Sequence, residues 1–137
     1  MTKPTFADTF FYLALVNPQD GEHRLAVSTA AALTGPVITT QWVLVEVADA
    51  LCSAANRHRF LALLELLIAD SRVEIVPVSE ELFERGLALY RQRTDKDWSF
   101  TDCTSFAVMK DRGITNALTA DQHFRQAGYN ALLITSP

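Results

Sequence analysis

Four carboxylates stand where ordinary surface acids are not expected. Asp8 lies in Phe6-Ala7-Asp8-Thr9-Phe10-Phe11 and Glu46 in Val43-Leu44-Val45-Glu46-Val47-Ala48, each inside an otherwise apolar string. Asp102 lies in Asp97-Trp98-Ser99-Phe100-Thr101-Asp102-Cys103, and Asp121 in Leu118-Thr119-Ala120-Asp121-Gln122-His123-Phe124. Burying an unpaired carboxylate is costly, so an acid in apolar surroundings implies a partner: a basic side chain, a backbone N–H or a cation. Several carboxylates brought together form an all-oxygen site suited to Mg2+ or Mn2+, whose bound waters can be activated for attack. Mutual repulsion would disfavour such a cluster unless a cation compensated it.

Each acid also has a purely structural explanation. Asp8 and Asp121 can cap the helices that follow them. Ser99 and Asp102 have the spacing of a capping box, although a helix N-terminus would also keep Asp102 ionised for a cation. Glu46 can reach water from a helix edge. Asp97 is either support for the site or an exposed loop acid, and His123 is either a group acting on substrate or a packed or solvated imidazole. No Ser/His/Asp order and no glycine-rich phosphate loop competes with the acidic set.

The elements that must position these residues read as short strands alternating with helices. The expected strands are residues 5–8, 37–40, 73–76, 116–119 and 131–134, and the expected helices are 9–16, 20–33, 41–54, 57–69, 79–93 and 101–112. Asn17-Pro18, Gly35-Pro36, Pro77, Gly113 and Gly128 fall at the breaks. Phe60, Leu63, Leu64 and Leu67 recur at helical spacing and mark a core-facing stripe. Strands separated by helices of this length imply parallel pairing, right-handed crossovers and helices on both faces. The fold class is therefore α/β. In such sheets ligands bind beyond the carboxyl ends of the strands, and three of the four acids fall at or just after an expected strand end.

A chain of 137 residues, 49% hydrophobic and 20% charged, suits one domain spanning 1–137. Its formal charge of −4 argues against non-specific coating of nucleic acid, so any such contact is local. Candidate cations are Arg57, His58 and Arg59, then Arg91, Arg93 and Lys96, then Lys110, Arg112 and Arg125. Cys52 and Cys103 belong to no Cys-x-x-Cys pair, which fits a reducing cytoplasm. The apolar run 10–16 is too short to span a bilayer, so no membrane association is expected.

Taken in order, these strings resemble the PIN-domain family, and especially the VapC-type toxin ribonucleases of bacterial toxin–antitoxin pairs. The carriers are Phe6-Ala7-Asp8-Thr9, Val45-Glu46-Val47-Ala48, Ser99-Phe100-Thr101-Asp102-Cys103-Thr104-Ser105-Phe106 and Thr119-Ala120-Asp121-Gln122-His123-Phe124, spread over essentially the whole chain. The resemblance implies a three-layer fold with a central parallel sheet of about five strands, one or two divalent ions and hydrolysis of RNA phosphodiesters. It implies that Asp8 and Asp102 are principal metal ligands, with Glu46 and Asp121 completing the site directly or through water. Thr9 and Ser99 would orient ligands or phosphate, with Asp97 in support. Position 10 is Phe where many relatives carry a small residue. Expected partners are single-stranded or loop RNA, an antitoxin protein and a second copy of the chain, because Phe10, Phe11, Tyr12, Leu13 and Leu15 exceed what one short helix readily buries.

Other classes are weaker. A phosphoacceptor module would place its Asp after the third strand, where Val76 runs into Pro77, and an Asp-x-Asp phosphatase is disfavoured by Phe10. An RNA-processing nuclease without an antitoxin, or a non-catalytic binding protein on the same fold, remain the alternatives.

Overall fold

The computed structural model describes residues 3–134. Five strands, β1 (Thr5–Ala7), β2 (Val37–Thr40), β3 (Val73–Val76), β4 (Asn116–Leu118) and β5 (Asn130–Ala131), form one sheet in the order β3-β2-β1-β4-β5. Every pairing is parallel, with Thr5 opposite both Val37 and Asn116. The connecting helices are α1 (Thr9–Val16), α2 (His23–Ala32), α3 (Gln41–Ala50), α4 (Arg57–Ala69), α5 (Glu80–Gln92), α6 (Phe100–Arg112) and α7 (Gln122–Gln126). The expected α/β architecture is the one observed.

Most element boundaries follow from local chemistry. Thr40 and Ser79 cap α3 and α5 by accepting the amides of Val43 and Leu82. Gly113 ends α6 in the left-handed region at φ 64°, where a side chain would be strained. The second helix starts later than expected, because residues 20–22 fold into a turn in which Asp20 Oδ1 accepts the Glu22 amide. The third ends at Ala50, and the amide of Asn56 closes a separate turn onto Ser53. The last strand is shorter than expected: Leu132 and Leu133 still donate to Ala117 and Thr119, but outside regular pairing.

Burial is greatest in α6, where all eight residues from Asp102 to Met109 are buried. Over these turns the helix has no solvent face, which accounts for the lack of a polar stripe there, and only its end, Lys110, Asp111 and Arg112, is exposed. Phe106 anchors it, packing edge-on against Trp98 (5.0 Å) and Phe124 (4.9 Å), so that α6 and α7 hold a fixed relation. On α1 the side chains of Phe11 and Tyr12 are buried, while Phe10, Leu13 and Leu15 are half-buried against the core. The apolar content of α1 is thus only partly taken up by the core. The most exposed large apolar side chains are Leu61, Leu66 and Ile68 on α4, with Val45 on α3, Val27 on α2, and Phe83 and Tyr90 on α5 also exposed. Among the described residues no helix is long and apolar enough to cross a membrane.

Close approach of α5 to α6 depends on Gly86. A Cβ there would come within 2.6 Å of Thr104 Cγ2 and 3.3 Å of Phe100 Cε1, both on the helix that carries Asp102. Alanine adds about 1 kcal/mol of helix preference over glycine, but overpacking of this kind costs about 1–3 kcal/mol. Gly86→Ala should therefore lower unfolding stability in urea titrations, and adding Thr104→Ser, which deletes the opposing methyl, should restore much of the loss. A Gly86→Ala protein more stable than wild type would contradict this packing.

Candidate active site

The strand order reverses direction between β1 and β4, and the crevice at their carboxyl ends is the usual ligand position in such a sheet. Asp8 leaves the end of β1 and Asp121 follows the end of β4. The Asp8 amide donates to Leu118 O (3.3 Å), which fixes the carboxylate against the neighbouring strand. Only 3% of Asp8 is exposed. It occupies the N-cap position of α1, yet its side chain makes no capping hydrogen bond, so capping does not explain it. The Thr119 hydroxyl instead donates to Asp8 Oδ2 (3.0 Å) and accepts the Asp121 amide (3.0 Å). One hydroxyl thus ties the two acids together.

Asp102 and Asp121 do cap helices. Ser99 Oγ accepts the Asp102 amide (2.9 Å) and Asp102 Oδ2 accepts the Ser99 amide (3.1 Å), the capping box expected from their spacing. Asp121 Oδ1 accepts the His123 amide (2.9 Å) at the start of α7. These bonds leave carboxylate oxygens to spare, so capping orients the acids without using them up. His123 Nδ1 lies 3.1 Å from Asp102 Oδ2 and 3.3 Å from Asp121 Oδ1. Donor atoms of Asp102, Asp121 and His123 all fall within 4.8 Å of one another.

Crowding of these charges is visible in their protonation. Burial, then the charge of Asp102, push the Asp8 carboxyl up to about 7, against the Thr9 amide and Thr119 hydroxyl, which favour its ionised form. The Asp102 carboxyl is also raised, first by burial and then by Asp121, with the Ser99 amide and His123 opposing.

The other expected residues fall further out. Glu46 is half-buried on α3 and lies outside the cluster of close donor atoms that Asp102, Asp121 and His123 form among the described residues. Its apolar string misleads because helical spacing turns Val43, Leu44 and Val47 to the core, while Val45 is exposed. Asp97 is exposed. Thr9 is buried, and its Oγ1 has no protein partner. Thr119, which has a direct role in the geometry, had none in the sequence, and His123 was expected there only as a group acting on substrate or a packed or solvated imidazole. A hydroxyl two residues before an acid at a strand end was the available signal for Thr119. For His123 the signal was its place in the first turn after Asp121.

Comparison with known proteins decides the family. The family model described as PIN domain matches residues 5–129. The chain belongs to the PIN-domain family. Over 124 residues this PIN domain is 32% identical to the 23S rRNA-specific endonuclease VapC20 of Mycobacterium tuberculosis, covering 90% of this chain and 94% of the relative. The crystal structure of VapC20, described as a Sarcin-Ricin loop cleaving toxin, matches with a TM-score of 0.84 at 30% identity, over 91% of this chain and 95% of that one. FitAcB from Neisseria gonorrhoeae matches with a TM-score of 0.66 at 19% identity over 93% and 95% of the two chains. VapBC2 from Rickettsia felis, bound to a DNA fragment from its promoter, gives 0.65 at 13% over 93% and 96%. At the last two identities the likeness is one of fold.

The raised Asp8 carboxyl makes metal-free stability depend on pH. Unfolded, this group ionises near 3.8; folded, it ionises near 7. The unfolded state therefore binds fewer protons between those values, and stability falls as pH rises through the interval, by up to about 4 kcal/mol. Urea titrations in EDTA at pH 5 and pH 7.5 should show wild type losing stability and Asp8→Asn losing much less. Equal losses in both proteins would contradict a strained Asp8.

Proposed function

We propose that this chain is a divalent-metal-dependent endoribonuclease that hydrolyses phosphodiester bonds in single-stranded or loop RNA and acts as the toxin of a toxin–antitoxin pair. The observation that carries the reading is the meeting of Asp8, Asp102 and Asp121 at the sheet's switch point. The identity to an rRNA endonuclease over 90% of the chain supports it.

The residues present fit a divalent cation. Two carboxylates, 3% and 6% exposed, repel each other in the crevice, and no Lys or Arg pairs with either among the described residues. Asp8, Asp102 and Asp121 would hold Mg2+ or Mn2+, with Glu46 reaching it through water. The ion, when bound, would lower the pKa of the attacking water and offset charge on the phosphate.

The chain's own groups do the remaining work. Thr119 and the Ser99 capping box keep Asp8 and Asp102 from turning away as charge develops. Asp121, whose side chain is 33% exposed, and half-buried Glu46 are the acids with solvent access, and one of them accepts the proton of the attacking water. The buried Thr9 hydroxyl, next to Asp8 and without a hydrogen-bond partner among the described residues, would orient a ligand from beneath the crevice. Beside Ser99 lies a hollow of about 490 Å³ lined by Tyr90, Arg93, Lys96, Asp97 and Trp98. The Arg93 guanidinium lies 4.9 Å from the Trp98 ring centre. Local cations and aromatic faces of this kind suit an unpaired RNA segment on an otherwise acidic protein.

Partners belong to the same reading. Apolar residues exposed on α3 and α4 offer a surface for an antitoxin or for a second copy in a homodimer. Cytoplasmic action on RNA follows from such a role.

Asp8→Asn and Asp102→Asn each keep side-chain size and remove one binding charge, so each should lower RNA cleavage by about a thousandfold or more, as EDTA should in wild type. Glu46→Gln and Asp121→Asn should impair it strongly. Wild-type rates in repurified Asp8→Asn and Asp102→Asn proteins would overturn the assignment. Repeating the assay with the co-expressed product of the adjacent reading frame reads out the partner, since an antitoxin should silence cleavage.

A further inference from the structure

His123 stands apart from the carboxylates the family resemblance supplied. Its backbone amide is held by Asp121 Oδ1 (2.9 Å), and its ring folds back so that Nδ1 faces the same oxygen at 3.3 Å and Asp102 Oδ2 at 3.1 Å. Adjacent ligands of an octahedral ion with bonds of about 2.1 Å lie about 3.0 Å apart. The nitrogen is thus placed at ligand-to-ligand spacing from two acids, and no other set of three His, Cys, Asp or Glu residues among those described brings its donor atoms so close.

We propose that His123 Nδ1 is a direct ligand of the ion held by Asp102 and Asp121, giving a mixed nitrogen–oxygen site that favours Mn2+ over Mg2+. The proposal rests on the metal-dependent reading above and extends it to the choice of ion. Mg2+ takes oxygen ligands almost exclusively and dehydrates reluctantly, whereas imidazole is a good ligand for transition-metal ions. Coordination through Nδ1 uses that atom's lone pair and leaves the ring proton on Nε2, which has no protein partner among the described residues. The ring is about one-third exposed, so Nε2 can be satisfied by water. Asp8, held by the Thr119 hydroxyl, supplies the remaining carboxylate of the site. The remaining histidines are separate from the site: His23 Nδ1 contacts Ala14 O (2.8 Å), and His58 is exposed on α4.

The test is pulsed electron paramagnetic resonance on the full chain loaded with one equivalent of Mn2+, together with calorimetric titrations of Mn2+ and Mg2+. Wild type should show nitrogen modulation of the manganese spin echo from a coordinated imidazole. His123→Ala should abolish that modulation and weaken Mn2+ binding about tenfold or more, with a smaller effect on Mg2+. His58→Ala should change neither. Mn2+ binding that Asp102→Asn removes, without nitrogen modulation in wild type, would overturn the role of His123 while keeping the metal site. Modulation that persists in His123→Ala would likewise overturn it. Absence of Mn2+ binding to folded wild type would overturn the metal reading itself, and this proposal with it.

Discussion

Asp8 and Asp102 are nearly closed to solvent and stand within electrostatic reach of one another at the end of a parallel sheet. Water scarcely screens them and, among the described residues, no Lys or Arg pairs with either, so the surrounding fold must hold two like charges with only the His123 ring beside Asp102 to offset them. Asp8 is fixed by strand pairing, because its amide continues the β1–β4 hydrogen bonding and Thr119 reaches across from β4 to its carboxylate. Asp102 is fixed by a capping box at the start of the most buried helix in the molecule. In the proposed function, an ion entering the crevice would replace repulsion with attraction on both acids, which would make the same constraint useful for phosphodiester hydrolysis.

Positioning reaches well beyond the acids. Gly86 lets α5 approach the first turns of α6, and Phe106 packs α6 against Trp98 and against Phe124 of α7. Since Asp102 begins α6 and Asp121 begins α7, this aromatic packing sets the distance between their carboxylates. Thr39 adds a third tie by donating its buried hydroxyl to the Ala7 carbonyl, one residue before Asp8 (2.9 Å). Polar groups in this core are paired to strand ends, where a small shift of the backbone would reach the site.

Much of this arrangement was legible in the amino-acid order. β2, β3 and α4 lie where apolar runs and helical spacing place them, since burial in a parallel sheet and along one helix face leaves a direct imprint on sequence. The capping box of Ser99 and Asp102 was equally readable, being a bond between residues three apart. The helix α7 was legible only through Asp121 as its cap, as five residues are too few to show a period. Thr119 meets Asp8 across 111 positions and His123 meets Asp102 across 21, contacts that exist only after the sheet assembles. Glu46 is the converse case: an apolar string suggested burial, but helical rotation carried it to the edge of the core.

Thermal unfolding in EDTA and in millimolar Mg2+ or Mn2+ tests the claim that this crevice is strained without an ion and relieved by one. At a hundredfold excess over Kd, an ion bound only to the native state adds about 2.7 kcal/mol, enough to raise Tm by several degrees in wild type. Asp102→Asn should melt at or above the wild-type temperature in EDTA, because one repelling charge is gone, and should gain far less from either ion. A saturable shift equal to that of wild type in both Asp8→Asn and Asp102→Asn would place the ion elsewhere and contradict the account.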